Sequence, residues 1–300
     1  MMKDRSGART PAELLPSFFV LGPPRTGTSW IHEVLAKRAI LPNRLKETRF
    51  FDQHFSRGFD WYLGNFPASA YPLLSRGEVA PTYFASCEAR RRIAHTIPSA
   101  KVVCIFRNPV ERMVSHYRVR RAYGLIRCNF EEALLRDQEI IESARYATHL
   151  KAWQQALGEK QILPTLYEQL SHDPQRYFDT VANFLGIQRF TLGSLEVGRV
   201  HSSEKLTLPR IYGLTSVGSS VADWLKSRGL GQFAVRVRRS PVGSLLLGSG
   251  RQFENLPAEV GRTAFELVRN EIEELQSLLD CDLSGWDPIA CNRQSTSTAA

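Results

Sequence analysis

One stretch early in the chain, Ser17–Lys37 (SFFVLGPPRTGTSWIHEVLAK), constrains the fold more than any other. Its four consecutive apolar residues, Phe18–Leu21, predict a buried strand, and the apolar residues after position 29 recur at helical spacing. Between them lies Gly22–Ser29, a loop with two glycines, two prolines, three hydroxyl residues and one arginine. A strand that enters a helix through such a loop forms a phosphate cradle, because glycines let backbone N–H groups approach an anion and the helix N-terminus adds unpaired donors. The alternative is a tight turn with an incidental arginine.

The two glycines of this loop, Gly22 and Gly27, have the G-x-x-x-x-G spacing of a nucleotide-binding P-loop. Thr28 and Ser29 follow them, whereas a nucleoside triphosphatase has a lysine and then a serine or threonine. The cation lies inside the loop instead, at Arg25. The loop is therefore predicted to bind an anion, but not as a nucleoside triphosphatase does.

A second anion site is predicted where the clearest strand of the chain, Lys101–Phe106, ends at Arg107. The next residues start a helix: Asn108 is a good N-cap, Pro109 suits the first helical position, and Glu111 stands where a capping-box acid belongs. Ser115 lies about two helical turns beyond Arg107. An arginine fork and a hydroxyl placed this way can hold a phosphate. The alternative is an arginine on the last carbonyl groups of the sheet and a serine that only packs on its helix. Two anion sites on one sheet favour a ligand with phosphate at both ends.

Predicted strands and helices alternate along the rest of the chain. Two shorter strands are Gly77–Pro81 and Gln161–Tyr167, and Pro164 places the latter at a sheet edge or a bulge. Helices are predicted over 58–66, 87–96, from 109 onward, and over 130–137, 140–157, 173–186 and 257–279. This alternation predicts an α/β, P-loop-like three-layer fold, with a central parallel sheet flanked by helices and ligands at the carboxyl ends of the strands.

The chain is expected to form one domain over 17–287, with a variable substrate-side segment at 191–251. Residues 1–16 are predicted to be a disordered lead-in, and the polar residues 288–300 a disordered tail. The basic stretch Arg228–Arg239 is either a solvated face or a surface that approaches an anionic acceptor or a membrane.

Composition narrows the partners and the compartment. The net charge of +9 implies an acidic partner, such as a phosphorylated cofactor, an anionic acceptor, nucleic acid or a membrane surface. The five cysteines have no C-x-x-C spacing, which predicts reduced thiols, no zinc site and a cytoplasmic location. No apolar run approaches the roughly eighteen residues of a membrane span, and residues 1–16 contain no apolar signal-peptide core. Neither is there a cluster of Asp, Glu or His at metal-ligand spacing, so no metal is expected.

The motifs together resemble the sulfotransferases that use 3′-phosphoadenosine 5′-phosphosulfate. The loop pattern of that family, P-K/R-S/T-G-T-S/T-W, is matched at each position by Pro24–Trp30. An Arg-Asn-Pro followed by a serine falls on Arg107 and Ser115, and the K-E-x-H-F-F-D motif of the glycosaminoglycan branch resembles Lys46–Asp52. Tyr167-Glu168 and the Phe-Leu-Gly that begins at Phe184 resemble further, weaker family patterns. The likeness spans residues 18–187.

The resemblance implies a role for each matched residue. The 5′-phosphosulfate is bound by the loop residues Arg25, Thr26, Gly27, Thr28, Ser29 and Trp30, and the 3′-phosphate by Arg107 and Ser115. Glu47 is the candidate base that takes the acceptor's proton, and Arg25 stabilises charge that develops on the 5′-phosphate. Lys46, Arg49 and Asp52 lie on the substrate side. The product is adenosine 3′,5′-bisphosphate, and neither a metal nor a specific nucleic acid is implied.

The chain also departs from the family pattern. Arg25 stands where the family usually has lysine, and Arg49 where carbohydrate enzymes often have histidine. Val79 replaces the lysine of their Glu-Lys-Ser/Thr-Pro motif, so a cation near the reacting centre is missing unless Arg49 supplies it. The family's third cofactor-binding segment has only a loose counterpart in His201–Lys205, which makes Lys205 the last candidate ligand.

These observations predict a sulfotransferase that moves a sulfuryl group to a hydroxyl or amine. Two alternatives stay open: a nucleotide kinase on the same architecture, and a non-catalytic binder of an anionic polymer. The Lys46–Asp52 motif favours a glycan or glycolipid acceptor, while small alcohols and peptide tyrosines remain candidates. A peripheral membrane contact is compatible with the charge.

Overall fold

The computed structural model of the protein describes residues 14–67, 74–193, 253 and 256–288. The predictions for the lead-in before residue 14, for the segment 194–252 with its basic stretch and Lys205, and for the tail beyond 288 lie outside the described residues. They stay predictions.

A parallel sheet of four strands forms the centre of the fold, in the order β2-β1-β3-β4. The strands are β1 Phe18–Leu21, β2 Gly77–Val79, β3 Lys101–Phe106 and β4 Ile162–Leu166. The predicted strands are confirmed to within two residues at each end. Pro164 lies in β4, an edge strand, where its missing N–H does not break a ladder on both sides.

Helices surround this sheet. They are α1 Thr28–Leu35, α2 Gly58–Leu63, α3 Cys87–Thr96, α4 Pro109–Ala122, α5 Phe130–Arg136, α6 Gln138–Glu142, α7 Tyr146–Leu157, α8 Tyr167–His172, α9 Pro174–Leu185, α10 Ala258–Glu266 and α11 Arg269–Leu279. Short turns of π-helix at Phe50–His54 and of 3-10 helix at Phe55–Arg57, Pro81–Tyr83, Glu159–Gln161 and Ser284–Trp286 complete the described elements. None of the helices in these ranges is both long and apolar enough to cross a membrane.

Two hydrophobic cores, one on each face of the sheet, establish the three-layer arrangement. Side chains alternate along β1, so that Phe19 and Leu21 enter one core while Phe18 and Val20 enter the other. All four are at most 1% exposed, and each contributes roughly 1.5–3 kcal/mol by leaving water. Both cores therefore hold β1 in place, together with the loop that follows it. The predicted α/β fold with a P-loop-like centre is confirmed.

The single helix predicted over 140–157 is wrong, because the chain forms α6 and α7 with a break between them. The side chain of Ser143 donates to the Glu139 carbonyl oxygen (2.6 Å), and the buried Arg112 donates to the Ile140 carbonyl oxygen (2.7 Å) and to Ser143 Oγ (2.9 Å). These side chains satisfy carbonyl groups at the end of α6 that a continuous helix would have used, and the chain turns there.

The long helix predicted over 257–279 is also two helices, α10 and α11. At the break, Val268 is 1% exposed whereas Leu267 is 52% exposed, so the bend keeps the valine in the core. The second helix packs against α7, where the Glu271 carboxylate accepts hydrogen bonds from the Thr148 N–H (3.0 Å) and hydroxyl (2.6 Å). Packing against α7 overrides the periodicity that made the two segments look continuous.

Helix α8 follows β4 directly and was not predicted. Gln169 Oε1 accepts the Leu166 N–H (3.1 Å) at its start, which is the side-chain half of a capping arrangement. The strand prediction ran one residue too far, and Tyr167 and Glu168 lie in the first turn of this helix.

Candidate active site

The predicted cradle lies between β1 and α1. Gly27 is the N-cap of α1 with a φ of 91°, and Gly22 has a φ of 142°, a region that favours glycine. A Cβ on Gly22 would lie 2.6 Å from the Ile105 carbonyl oxygen of β3, so no other residue fits against that strand. The buried Thr26 hydroxyl donates to the Pro23 carbonyl oxygen (3.0 Å) and fastens the loop from inside. The loop forms where it was predicted, because the Gly27 cap and the bond from Thr26 to Pro23 are local contacts.

Arg25 has the left-handed backbone conformation, with a φ of 81° that is uncommon for a residue other than glycine. Such a conformation costs on the order of 1–2 kcal/mol and persists only where the surroundings fix it. Its Nε donates to Ser115 Oγ (3.0 Å), and Ser115 is only 4% exposed on α4. Burial lowers the pKa of Arg25, as does the nearby Arg107. The cation of the loop thus extends toward the second predicted anion site.

The second site lies where β3 ends. The Arg107 guanidinium lies 4.7 Å from the ring centroid of Tyr167, and its Nη2 donates to Glu111 Oε2 (2.6 Å). The prediction that Glu111 closes a capping box is therefore wrong: the charged guanidinium takes the carboxylate. Asn108 caps α4 as predicted, because its Oδ1 accepts the N–H groups of Val110 (3.0 Å) and Glu111 (3.2 Å).

A network of residues far apart in the chain supports the Arg107 turn. Glu168 Oε1 accepts bonds from the Asn108 N–H (3.2 Å) and from Trp286 Nε1 (2.9 Å). The side-chain amide of Asn108 donates to the Trp286 carbonyl oxygen (3.3 Å), and the Tyr146 hydroxyl donates to the Arg107 carbonyl oxygen (3.0 Å). Burial raises the pKa of Glu168. The Tyr-Glu motif thus contacts the second anion site through both of its side chains.

Trp286 is a site-supporting residue that the sequence reasoning missed. It is 6% exposed and lies in a short turn after α11, outside any periodic pattern. The available signal is a tryptophan in the short stretch Ser284–Asp287, because large aromatic rings are mostly buried.

The segment that contains Glu47 lies beside the loop, as predicted. Lys46 Nζ donates to Ser29 Oγ (2.8 Å), which brings this cation to the first turn of α1. Burial lowers the pKa of Lys46, and the neighbouring Glu47 carboxylate opposes that effect. The resemblance places Lys46 on the substrate side, and its contact with Ser29 brings this cation to the edge of the cradle.

Arg49 and Asp52 form an ion pair with each other. Arg49 Nε lies 3.5 Å from Asp52 Oδ2, and the backbone of Arg49 has a φ of 52°. Val79, which stands where a lysine is usual, is fully buried in the core with Ile31 and Val34 of α1. The cation in contact with the loop from this side of the site is therefore Lys46, and the idea that Arg49 replaces the missing lysine gains no support from these contacts.

The side chain of Trp30 lies in the core, where it is 5% exposed. Its ring centroid lies 6.2 Å from that of Tyr177 in the core, and its backbone N–H donates to the Gly27 carbonyl oxygen (3.0 Å). Within the described ranges no three His, Cys, Asp or Glu side chains come together as metal ligands would, and the lack of a metal requirement stays a prediction.

The fold is that of a P-loop-like α/β protein, and the two predicted anion sites adjoin each other, one at the N-terminus of α1 and one at the end of β3. The model of the sulfotransferase domain family matches residues 15–202. The chain belongs to the sulfotransferase domain family, which confirms the resemblance drawn from Pro24–Trp30, Arg107 and Ser115.

Among known proteins, the chain is similar to the bifunctional heparan sulfate N-deacetylase/N-sulfotransferase 2 of Homo sapiens, with 28% identity over 210 residues. The bifunctional heparan sulfate N-deacetylase/N-sulfotransferase 1 of Mus musculus is 28% identical over 207 residues. The matches cover 63% and 62% of this chain but 24% of each relative, so the chain corresponds to about a quarter of their length. A solved structure of a sulfotransferase from Alicyclobacillus acidocaldarius shares the fold, with a TM-score of 0.58, 19% identity, and coverage of 91% of this chain and 98% of that one.

Proposed function

We propose that this protein transfers a sulfuryl group from 3′-phosphoadenosine 5′-phosphosulfate to a hydroxyl or amine of an acceptor. The observation that carries the proposal is the contact between Arg25 Nε and Ser115 Oγ (3.0 Å). It joins the cradle to the Arg107 turn, so one ligand with phosphate groups at both ends can occupy the two. The phosphates of a nucleoside triphosphate all lie at its 5′ end, so it has no phosphate at the other end to occupy the Arg107 site.

The residues present fit this donor. The N–H groups of Thr26, Gly27, Thr28 and Ser29, together with Arg25, would hold the 5′-phosphosulfate, and Arg107 and Ser115 the 3′-phosphate. The Thr26 hydroxyl is already bonded inside the loop, so Thr26 would contribute its backbone. Trp30 would contribute by anchoring α1 in the core. Lys205, in the segment outside the described residues, stays a candidate for the same ligand.

The bound donor supplies an electrophilic sulfur and a phosphate leaving group. In the transfer, the acceptor oxygen or nitrogen bonds to sulfur as the bond from sulfur to the bridging phosphate oxygen breaks, and the acceptor's proton passes to the Glu47 carboxylate. Lys46 and Arg25, both at the cradle, would stabilise the negative charge on the leaving phosphate.

The acceptor that this proposal favours is a carbohydrate. The support is the Lys46–Asp52 motif and the names of the relatives, which describe heparan sulfate N-sulfotransferases. We propose a cytoplasmic location for the reaction, since the four cysteines of the described residues, Cys87, Cys104, Cys128 and Cys281, are free thiols.

The experiment compares thermal unfolding of the purified protein with adenosine 3′,5′-bisphosphate, adenosine 5′-phosphate, ATP and heparin. A marked increase in Tm with the bisphosphate alone is expected, because only that ligand engages both anion sites. Transfer of labelled sulfate from the donor to a panel of oligosaccharides, amino sugars and simple alcohols then identifies the acceptor. A shift with ATP alone would favour a kinase, and a shift with heparin alone would favour a polymer-binding protein.

A further inference from the structure

Glu78 on β2 is a fully buried carboxyl group that the predicted chemistry does not use. Four hydrogen-bond donors converge on it. The Thr48 N–H (2.9 Å) and hydroxyl (2.6 Å) bond to Oε1, the Tyr62 hydroxyl bonds to Oε2 (2.8 Å), and the Tyr83 hydroxyl lies 3.3 Å from Oε2. A buried acid is tolerated only where such donors replace water. These partners are all neutral, so the group is held by hydrogen bonds rather than by an ion pair.

The two shortest bonds to Oε1 come from Thr48, the residue next to Glu47, while the Tyr83 hydroxyl lies 3.4 Å from the same oxygen. The Thr48 hydroxyl also accepts the Phe50 N–H (3.2 Å), and the Tyr83 hydroxyl accepts the Phe51 N–H (3.3 Å). Between Thr48 and Phe50, the backbone of Arg49 has the left-handed conformation. The chain that presents Glu47 is thus attached to the core by side chains.

The other end of the attachment is the strand that leads into the cradle. Glu78 stands opposite Phe19 in the parallel register of β1 and β2, and β1 ends at the loop. The Oε1 atom of Glu78 therefore connects two parts of the site: β1 with its loop on one side, and the segment with Lys46 and Glu47 on the other. A displacement of Thr48 would move the base relative to the loop.

We propose that Glu78 is a positioning residue for Glu47, acting through Thr48. The inference rests on the proposed function, because Glu47 is the base of that reaction. Burial raises the pKa of Glu78 to about 7, while the bonds from Thr48, Tyr62 and Tyr83 act in the opposite direction. A buried acid with only a structural role could take its donors from any part of the core; here two of them come from Thr48, the residue next to the base.

The test compares Thr48→Val, which removes the hydroxyl and keeps the N–H, with Thr48→Ser, which restores the hydroxyl. Tyr62→Phe is the matched control, since it removes one hydrogen bond from the other oxygen of the same carboxyl group. Thr48→Val is expected to lower kcat about tenfold to a hundredfold, as misplaced reacting groups do, with the affinity for adenosine 3′,5′-bisphosphate unchanged. Thr48→Ser should recover most of the activity, and Tyr62→Phe should lower Tm but keep kcat within about twofold.

Amide hydrogen exchange provides a second readout that does not depend on activity. The amides of residues 46–51 should exchange faster in Thr48→Val than in Tyr62→Phe, while those of α1 stay protected in both. An inactive wild-type protein would contradict the proposed function, and the exchange data would still decide the role of Glu78. Equal losses of kcat in Thr48→Val and Tyr62→Phe, or unchanged exchange over 46–51 in Thr48→Val, would overturn the inference.

Discussion

Arg25 and Ser115, ninety residues apart in the chain, meet through a hydrogen bond of 3.0 Å between Nε and Oγ. One belongs to the cradle and the other to the site at the end of β3. Because the hydroxyl holds the guanidinium of the loop, Ser115 is coupled to both proposed phosphate sites, and its loss should be felt at each.

Ser115→Ala is therefore expected to weaken the binding of both adenosine 3′,5′-bisphosphate and adenosine 5′-phosphate. Removal of one hydrogen bond to a charged group costs about 1–3 kcal/mol, or roughly ten- to hundredfold in affinity for the bisphosphate. The loss for adenosine 5′-phosphate should be smaller, since only the orientation of Arg25 changes. Isothermal titration calorimetry measures both. A variant that binds adenosine 5′-phosphate as the wild type does would show that the contact with Arg25 has no role in the bound state.

Arg107→Ala provides the contrast. Arg107 is assigned to the 3′-phosphate, so its loss should weaken the bisphosphate by roughly ten- to hundredfold and leave adenosine 5′-phosphate nearly unaffected. Arg136→Ala on α5 is the control, because that arginine is exposed and pairs with Glu132 on the surface. Equal weakening of the two nucleotides in Arg107→Ala would refute the assignment.

Glu47→Gln should reduce turnover by about two to four orders of magnitude while the affinity for adenosine 3′,5′-bisphosphate stays near that of the wild type. The amide has the shape of the acid but cannot accept the proton. Glu131→Gln, the same change at an exposed position of α5, is the matched control. If Glu47→Gln keeps more than about a tenth of the activity and Asp52→Asn does not, the base is Asp52.

Lys46→Met should also lower kcat, by about a hundredfold, because it removes a positive charge in contact with the cradle. If Lys46 formed only a surface ion pair, its loss would instead matter little. Lys160→Met, at an exposed turn before β4, tests the loss of a lysine that lies away from the site. Steady-state kinetics decide between the two expectations: a normal kcat for Lys46→Met would show that Lys46 forms only a surface ion pair.

Trp286→Phe should weaken the bisphosphate severalfold, because the Arg107 turn loses its bond from Nε1 to Glu168 while the ring still fills the core. The stability cost should be about 1 kcal/mol. Trp153→Phe is the matched control: its Nε1 donates to the Phe84 carbonyl oxygen (2.9 Å) in the core on α7. Both variants should lose similar stability in urea unfolding, but only Trp286→Phe should lose affinity. Affinity losses of the same size in both would assign Trp286 to the core alone.

The stability of the protein should depend on pH through Glu78. Burial raises the pKa of this carboxyl group from an ordinary 4.5 to about 7, so the folded protein holds the proton more tightly than the unfolded chain. Its contribution to stability is fully present below pH 4.5 and is lost as the pH rises to about 7. The loss is on the order of 3 kcal/mol over this window.

The comparison with Glu78→Gln isolates this contribution. Burial also lowers the pKa of His32 to about 4 and that of His116 to about 3, which destabilises the fold at acid pH, but both histidines are present in both proteins. The free energy of unfolding of the wild type minus that of Glu78→Gln should therefore decrease between pH 4.5 and 7 and stay level above. Parallel pH curves for the two proteins would show that Glu78 does not titrate in this range.

The sequence by itself determined the elements that local chemistry specifies. β1, the cradle and α1 were predicted because an apolar run, two glycines and a helical repeat are contiguous. β3 and the Asn108 cap followed from the same kind of local signal. The family resemblance rested on these same segments, which is why the family could be recognised before any contact was known.

Tertiary structure alone decided which side chains meet. Arg25 reaches Ser115 over ninety residues, and Trp286 reaches Glu168 over 118. Glu111 bonds to Arg107 although its position favoured a cap, and Lys46 bonds to Ser29, seventeen residues before it. The breaks after α6 and α10 arose in the same way. Periodicity and spacing record only which face of an element is apolar, whereas a hydrogen bond between distant residues depends on how the finished elements pack.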